Sequence, residues 1–372
     1  MSKNILVNYL GRKGGTALYS FEMAKGLIEN GANVYGIISE QNYMLNEWKK
    51  LKFKKLLVLP TYNNNKTFII NTVKFFIKYR FIIKNFFKDV KIDVVYVPAF
   101  HNWGELVNNI FPKAKKIVTT HDALPHTGNL IRNKLTWIYN KKSLKNADDI
   151  IILSEYFKKY MIDIHNKSEK NIHVIPHGVF NYYNSIKIYN ESLYDKENIN
   201  FLFFGRIEDY KGLSILSKAY KKISEKYKKV SLTIAGSGDF SKYEKEYKSL
   251  RNVHIINRWI DDTEVGNFFC GNNIITVLPY LNATQSGVIN IAMINKSLVI
   301  ATSCSGIVEQ ICHKQTGILI KPNDINALVK AMEFVIENRN DCNKYIENAS
   351  KYIESLSWKK LSKKVLKIVE QY

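Results

Sequence analysis

The chain has 372 residues, too many for one ordinary core and suited to two domains of roughly 150–200 residues each. Its hydrophobic content of 46% is that of a globular protein, no stretch is Pro/Gly-rich enough to suggest long disorder, and no run approaches the roughly 18–20 apolar residues of a bilayer span. The formal charge is +22, of which residues 1–185, with 28 Lys+Arg against 13 Asp+Glu, carry +15; such a basic half points to an anionic partner, whether nucleic acid, acidic membrane or phosphorylated substrate.

The abundance of Asn, Lys, Ile and Tyr is read first as base bias. The opening run MSKNILVNYLG is a short strand entering a Gly-rich turn, without the longer apolar stretch and cleavage site of a signal peptide. A cytoplasmic protein, at most peripherally attached, is expected. The four cysteines, Cys270, Cys304, Cys312 and Cys342, form no CxxC and look like reduced, mostly structural thiols of a cytosolic protein.

Residues 5–9 predict a strand, GRKGGT at 11–16 a turn, 17–30 an amphipathic helix, and 33–39 a second strand. Strands at 94–97, 116–120, 149–153 and 172–175 continue a βαβ rhythm, which gives a doubly wound parallel sheet. GRKGGT is either a plain tight turn or a loop facing an acceptor or phosphate; it is not GxGxxG, and no acidic residue ends the next strand. TTHDALPH at 119–126 puts His121 and Asp122 where a strand end meets the crevice of an open sheet, a place for function as well as for a structural histidine. Between them, KKLKFKK at 49–55 and 66–91 interleave Ile, Val and Phe with Lys and Arg. That pattern fits a basic amphipathic helix, lying either on an anionic lipid surface or on the core with a solvated face.

The polar stretch 184–198 breaks the rhythm and is the expected linker. The rhythm restarts with a strand at 201–204 and the turn GRIEDYKG, where Arg206 and Lys211 could clamp a diphosphate. A strand at 231–235 ends in GSGD, a weak signal alone. Strands at 253–256, 274–277, 299–301 and 317–320 follow, with INRWI at 256–260 placed to hold a base through backbone groups. TQSG at 284–287 opens a helix whose free amides favour phosphate. A Lys-rich amphipathic helix closes the chain from 357.

In order along nearly the whole chain, these motifs resemble glycosyltransferase family 4. The similarity rests on GGTALYSFEMAKGLIENG at 14–31, HD at 121–122, ADDIIILSEYFKKYM at 147–161, IHVIPHGV at 172–179, FFGRIEDYKGLSIL at 203–216 and the closing SLSWKKLSKKVLKIVEQY. The resemblance implies an α/β GT-B architecture, two Rossmann-like doubly wound domains facing across a cleft. It gives an acceptor-binding domain at 1–183, the linker at 184–198, a donor-binding domain at 199–356, and a helix at 357–372 returning to the first domain.

It also implies retaining transfer of a sugar from a nucleoside diphosphate sugar to an acceptor hydroxyl, with no metal and no cofactor. His121, Arg206 and Lys211 are the implied catalytic residues. Donor contacts fall on Gly15, Gly205, Arg206, Lys211, Gly236, Trp259, Ile260, Gln285, Ser286, Gly287 and Glu309. Acceptor contacts fall on Gly14, Gly15, Thr16 and Asp122. The expected partners are the nucleotide sugar, a lipid-linked or saccharide acceptor, and an anionic membrane surface met through 49–91 at the inner face of the plasma membrane; surface-polysaccharide or lipopolysaccharide assembly is the implied setting.

One departure stands out. Many members carry two glutamates eight apart, and here those places hold Ala283 and Ile291, in an ATQSGV form that resembles a branch lacking the pair. Two other classes compete. A nucleic-acid binder would account for the charge and the aromatics, but no zinc spacing or RNP-type motif supports it. A non-catalytic GT-B protein is compatible with the missing glutamates. A dehydrogenase is disfavoured because neither half of the chain carries GxGxxG.

Overall fold

The computed structural model describes residues 3–121, 140–185, 198–270 and 273–372. The chain forms two compact units, one of residues 1–178 and 356–372, the other of 179–355.

The first unit is built on a seven-stranded parallel sheet in the order β3-β2-β1-β4-β5-β6-β7. The strands are β1 (Asn4–Tyr9), β2 (Asn33–Ser39), β3 (Leu56–Leu59), β4 (Val94–Val97), β5 (Lys115–Thr120), β6 (Asp149–Ile152) and β7 (Ile172–Val174). VVYV in β4 and DIII in β6 are buried at every position. A parallel sheet covered on both faces asks for such continuous β-branched runs rather than alternation.

Strand β3 was not expected. It is four residues of an edge, LLVL, ended by Pro60 and preceded by lysines, too short for its alternation to register. The first helix spans Gly15–Glu29, starting two residues before the expected position. The C-terminal helix Trp358–Val369 packs on it: Asn30 Nδ2 donates to the Lys359 carbonyl at 2.8 Å and to Ser362 Oγ at 2.9 Å.

The basic segment is not one α-helix. It runs as helix Asn65–Lys74, a π turn Phe75–Tyr79 and helix Arg80–Phe86. Phe75, Tyr79, Ile83 and Phe87 are buried in the core. A four-residue repeat drifts about 40° per step on an α-helix, and the wider π turn takes up part of that drift. The opposite face leaves Ile69, Ile70, Val73, Phe76, Ile77 and Phe81 exposed, Ile77 at 77% and Phe81 at 72%.

Glu22 is buried on the first helix, and burial raises its carboxyl to about 7 against the opposing charge of Lys25. A carboxyl raised on folding gives full stability below its unfolded value; stability falls as pH climbs toward 7 and stays lower above. Glu22→Gln is therefore expected to be more stable than wild type at pH 8, by up to about 3 kcal/mol, with the gain shrinking at pH 5. Thermal melts at the two pH values check this.

The second unit holds a six-stranded parallel sheet in the order β10-β9-β8-β11-β12-β13. Its strands are β8 (Ile199–Phe204), β9 (Val230–Ala235), β10 (Val253–Ile256), β11 (Ile274–Leu278), β12 (Leu298–Thr302) and β13 (Ile318–Ile320). Strands β9, β11 and β12 are buried throughout. Of the expected linker, residues 184 and 185 end a short helix, Tyr182–Ser185, and 186–197 lie outside the described residues. All four cysteines are free thiols: Cys304 and Cys342 are buried, and Cys270 and Cys312 are exposed.

Candidate functional site

In the second unit the ends of β8, β9 and β11 carry three turns that lock together. Gly205 N–H donates to the Ala235 carbonyl at 2.9 Å, and Gly236 N–H to that of Ile256 at 3.0 Å. Gly236 has φ 147°, and a Cβ there would sit 1.9 Å from the Gly205 carbonyl oxygen, so only glycine lets the two turns touch. The turn Asp209–Lys211 ends in Gly212 at φ 73°, where a Cβ would lie 1.9 Å from the Pro279 carbonyl oxygen. Leu281 N–H donates to the Tyr210 carbonyl at 2.7 Å across the same contact.

This places Lys211 Nζ 3.8 Å from the Tyr280 ring centroid and 4.9 Å from that of Tyr210. The Tyr280 hydroxyl lies 3.4 Å from Ser286 Oγ, at the cap of helix Gly287–Ile294. Val288 Cγ2 is 3.9 Å from the Cβ position of Gly205. Lys211, the Gly205 turn and the start of that helix thus converge at the carboxyl edge of the sheet, where open α/β sheets bind ligands. Arg206 leaves the same turn, with its side chain 69% exposed and paired to Glu208 at 3.1 Å. Cys304 is close enough that the Lys211 charge opposes the upward push of burial on its thiol.

The amide of Ser286 does not point outward, contrary to expectation. It donates to Gln310 Oε1 at 2.8 Å, and Gln310 Nε2 donates back to the Ser286 carbonyl at 3.0 Å. The first helix amides without a partner among the described residues are those of Gly287 and Val288, where the helix dipole favours negative charge. Gln285 Oε1 is buried and unpaired among the described residues. Trp259 is half exposed beside buried Ile260, and Arg258 is fixed by two bonds to Glu264. Glu309 is exposed and faces Tyr352, whose hydroxyl reaches its carbonyl at 3.5 Å.

In the first unit Gly14, at φ 92°, caps the first helix, and its carbonyl accepts from Ala17 and Leu18. The amides of Gly15 and Thr16 open the helix without partners among the described residues, and a Cβ at Gly15 would meet open space. His121 follows β5. Its Nε2–H donates to the Pro98 carbonyl at 3.0 Å, and its ring meets Tyr19 edge-on at 4.5 Å. Tyr19 also meets His177 at 5.6 Å and Trp358 at 5.1 Å, so this node joins the first and last helices of the unit. Burial lowers His177 to about 4 and keeps it neutral. Asp122 lies outside the described residues.

Sequence reasoning missed Tyr280, Gln310 and Gly212 as parts of this arrangement. Tyr280 and Gln310 lie within the segment 278–311 that carries TQSG, but only the fold shows that one meets the Lys211 ammonium and the other clamps the helix cap. The described residues contain no group of three or more His, Cys, Asp or Glu placed to hold a metal ion, and no helix long and apolar enough to cross a membrane.

Residues 13–180 match the family described as Glycosyltransferase Family 4, and residues 185–352 match Glycosyl transferases group 1. A glycosyltransferase of Haemophilus influenzae is 26% identical over 340 residues, covering 88% of each chain. The Staphylococcus aureus capsular polysaccharide biosynthesis glycosyltransferase CapM is 26% identical over 248 residues, 60% of this chain and 63% of that one. Among solved structures, Anabaena Alr3699/HepE in complex with UDP and glucose superposes with a TM-score of 0.74 over the whole of both chains at 14% identity. The chain belongs to the GT-B glycosyltransferases, with a family 4 first half and a group 1 second half.

Proposed function

We propose that this glycosyltransferase moves a sugar from a nucleoside diphosphate sugar to an acceptor hydroxyl with retention at the anomeric carbon, as a step in surface-polysaccharide assembly. The observation that carries the donor reading is the convergence of Lys211, the Gly205–Arg206 turn and the Gly287 and Val288 amides. Breaking the anomeric bond leaves negative charge on the diphosphate. Preorganised cations and helix amides that meet that charge lower the barrier, a task a metal performs elsewhere. UDP in the Anabaena neighbour supports a uridine donor, and the name of CapM supports the polysaccharide setting. Incubation with UDP-, GDP- and ADP-sugars, following release of the nucleoside diphosphate, tests the reading; no release from any of them refutes it.

The place of work in this proposal is an anionic membrane surface. Residues 65–88 hold Lys66, Lys74, Lys78, Arg80, Lys84 and Lys88 and no acidic residue, around the six exposed apolar side chains. Apolar burial plus attraction to acidic headgroups is the physics of an interfacial helix. Wild type is expected to float with vesicles rich in phosphatidylglycerol at low salt. The double variant Ile77→Glu/Phe81→Glu is expected to bind about ten-fold more weakly or worse. Flotation unaffected by the double change would refute the surface.

A further inference from the structure

The carboxyl edge of the first sheet holds a second cluster that the donor chemistry does not use. The strand order departs in opposite directions from β1 and β4, and Arg12 follows β1 while His101 follows β4. Such a switch point is where open parallel sheets bind ligands. Tyr62, beyond β3, joins the two. Arg12 Nη1–H donates to its carbonyl at 2.7 Å, and the guanidinium carbon lies 4.9 Å from its ring centroid. The His101 ring centroid is 5.7 Å from the same ring.

Both groups have donors to spare. Arg12 is half-buried, and its bond to Tyr62 is its one side-chain hydrogen bond among the described residues. Glu40 directly follows β2, an acid at a strand end where the sequence reading places none, and it is engaged by Gln41 Nε2 at 3.2 Å. His101 is 9% exposed; its Nδ1 accepts the Trp103 amide at 3.1 Å, so the ring proton sits on Nε2. That Nε2 is buried and meets no acceptor among the described residues. Burial, then the Arg12 charge, lowers His101 to about 3, which keeps it a neutral donor at any working pH. Buried unpaired donors are rare in folded proteins and call for a missing acceptor.

Resting on the transfer reading above, we propose that Arg12 and His101 form an anion subsite for the acceptor, taking the phosphate of a lipid-linked saccharide through the guanidinium fork and the imidazole N–H. A planar fork suits phosphate oxygens better than a point charge does. The cluster also anchors the exposed apolar stripe: Trp103 Nε1–H donates to Thr72 Oγ1 at 3.1 Å, and Tyr62 meets Phe68 edge-on at 4.8 Å. A phosphate seated here therefore shares its foundation with the helix proposed to touch lipid.

The test uses the full chain in nonionic micelles, with geranylgeranyl monophosphate as the probe. Geranylgeraniol and phosphatidylglycerol serve as the phosphate-free and bilayer-headgroup arms. Calorimetry gives affinity, and ¹⁵N NMR follows the His101 imidazole. The monophosphate is expected to move the His101 resonance and to bind roughly ten-fold or more tightly than the alcohol. Arg12→Gln loses that margin, and Arg12→Lys recovers part of it in a protein that melts like wild type. Monophosphate binding by Arg12→Gln equal to wild type overturns the subsite, as does an equal His101 response to phosphatidylglycerol. UDP titration reads the donor side separately: unchanged affinity in Arg12→Gln supports an acceptor subsite, and its loss in that variant overturns it. Failure of UDP, GDP and ADP alike to bind wild type would strike the transfer reading alone.

Discussion

Lys211→Ala is expected to lower sugar transfer by about 10²–10³-fold with little change in melting temperature, the usual cost of removing one preorganised donor to a developing charge. The ammonium lies 3.8 Å from the Tyr280 ring, whose hydroxyl is 3.4 Å from Ser286 Oγ at the cap of the helix that starts at Gly287. Alanine removes the charge and leaves the Asp209–Lys211 turn, which the backbone bond from Leu281 to Tyr210 holds independently. Arg206→Ala should also lose most turnover, by a smaller factor, because its side chain is largely exposed and already shared with Glu208. Steady-state kinetics separates the two. Wild-type-like transfer by both variants would remove the donor assignment.

Gly212→Ala is expected to act through the fold. A Cβ would stand 1.9 Å from the Pro279 carbonyl oxygen on a backbone at φ 73°, which side chains rarely adopt. Either the Lys211 turn or the 279–286 loop must move. Stability should fall by about 2 kcal/mol or more, within the range of strained or overpacked substitutions. Transfer should fall further than stability explains, since the contact that moves also sets Lys211 against Tyr280. Denaturant unfolding beside kinetics at full folding distinguishes the two losses.

The sequence made most of the fold legible, because buried parallel strands are continuous β-branched runs and helices start at glycine turns. Strand β3 escaped because four edge residues among lysines carry no period. The π turn escaped because Phe75, Tyr79, Ile83 and Phe87 repeat every four residues, which a sequence reading takes for an unbroken helix. The geometry of the candidate site was legible where its parts are local, as with Arg206 and Lys211 on one turn. It was not legible where partners come from elsewhere. Gln310 takes the Ser286 amide from 24 residues away, moving the free amides on to Gly287 and Val288. No spacing rule encodes that exchange. Glu309 is the reverse case: a motif position whose neighbour in the fold, Tyr352, belongs to the helix Arg339–Glu354.

The exposed stripe at 65–88 shows how composition and structure divide the work. The basic charge of the first half names no partner. Six apolar side chains held outward by the packing of their neighbours, in a stretch 65–88 with six cations and no acid, are what the proposal of an oily, anionic surface rests on.

The most direct measurement is a thermal-shift titration of UDP, GDP and ADP against wild type and Lys211→Ala. A ligand that binds only the folded form raises the melting temperature by linkage. One nucleoside diphosphate should raise that of wild type in a concentration-dependent way, and Lys211→Ala should lose most of the rise. A shift preserved in Lys211→Ala, or no shift from any of the three in wild type, would contradict a diphosphate held at this strand edge.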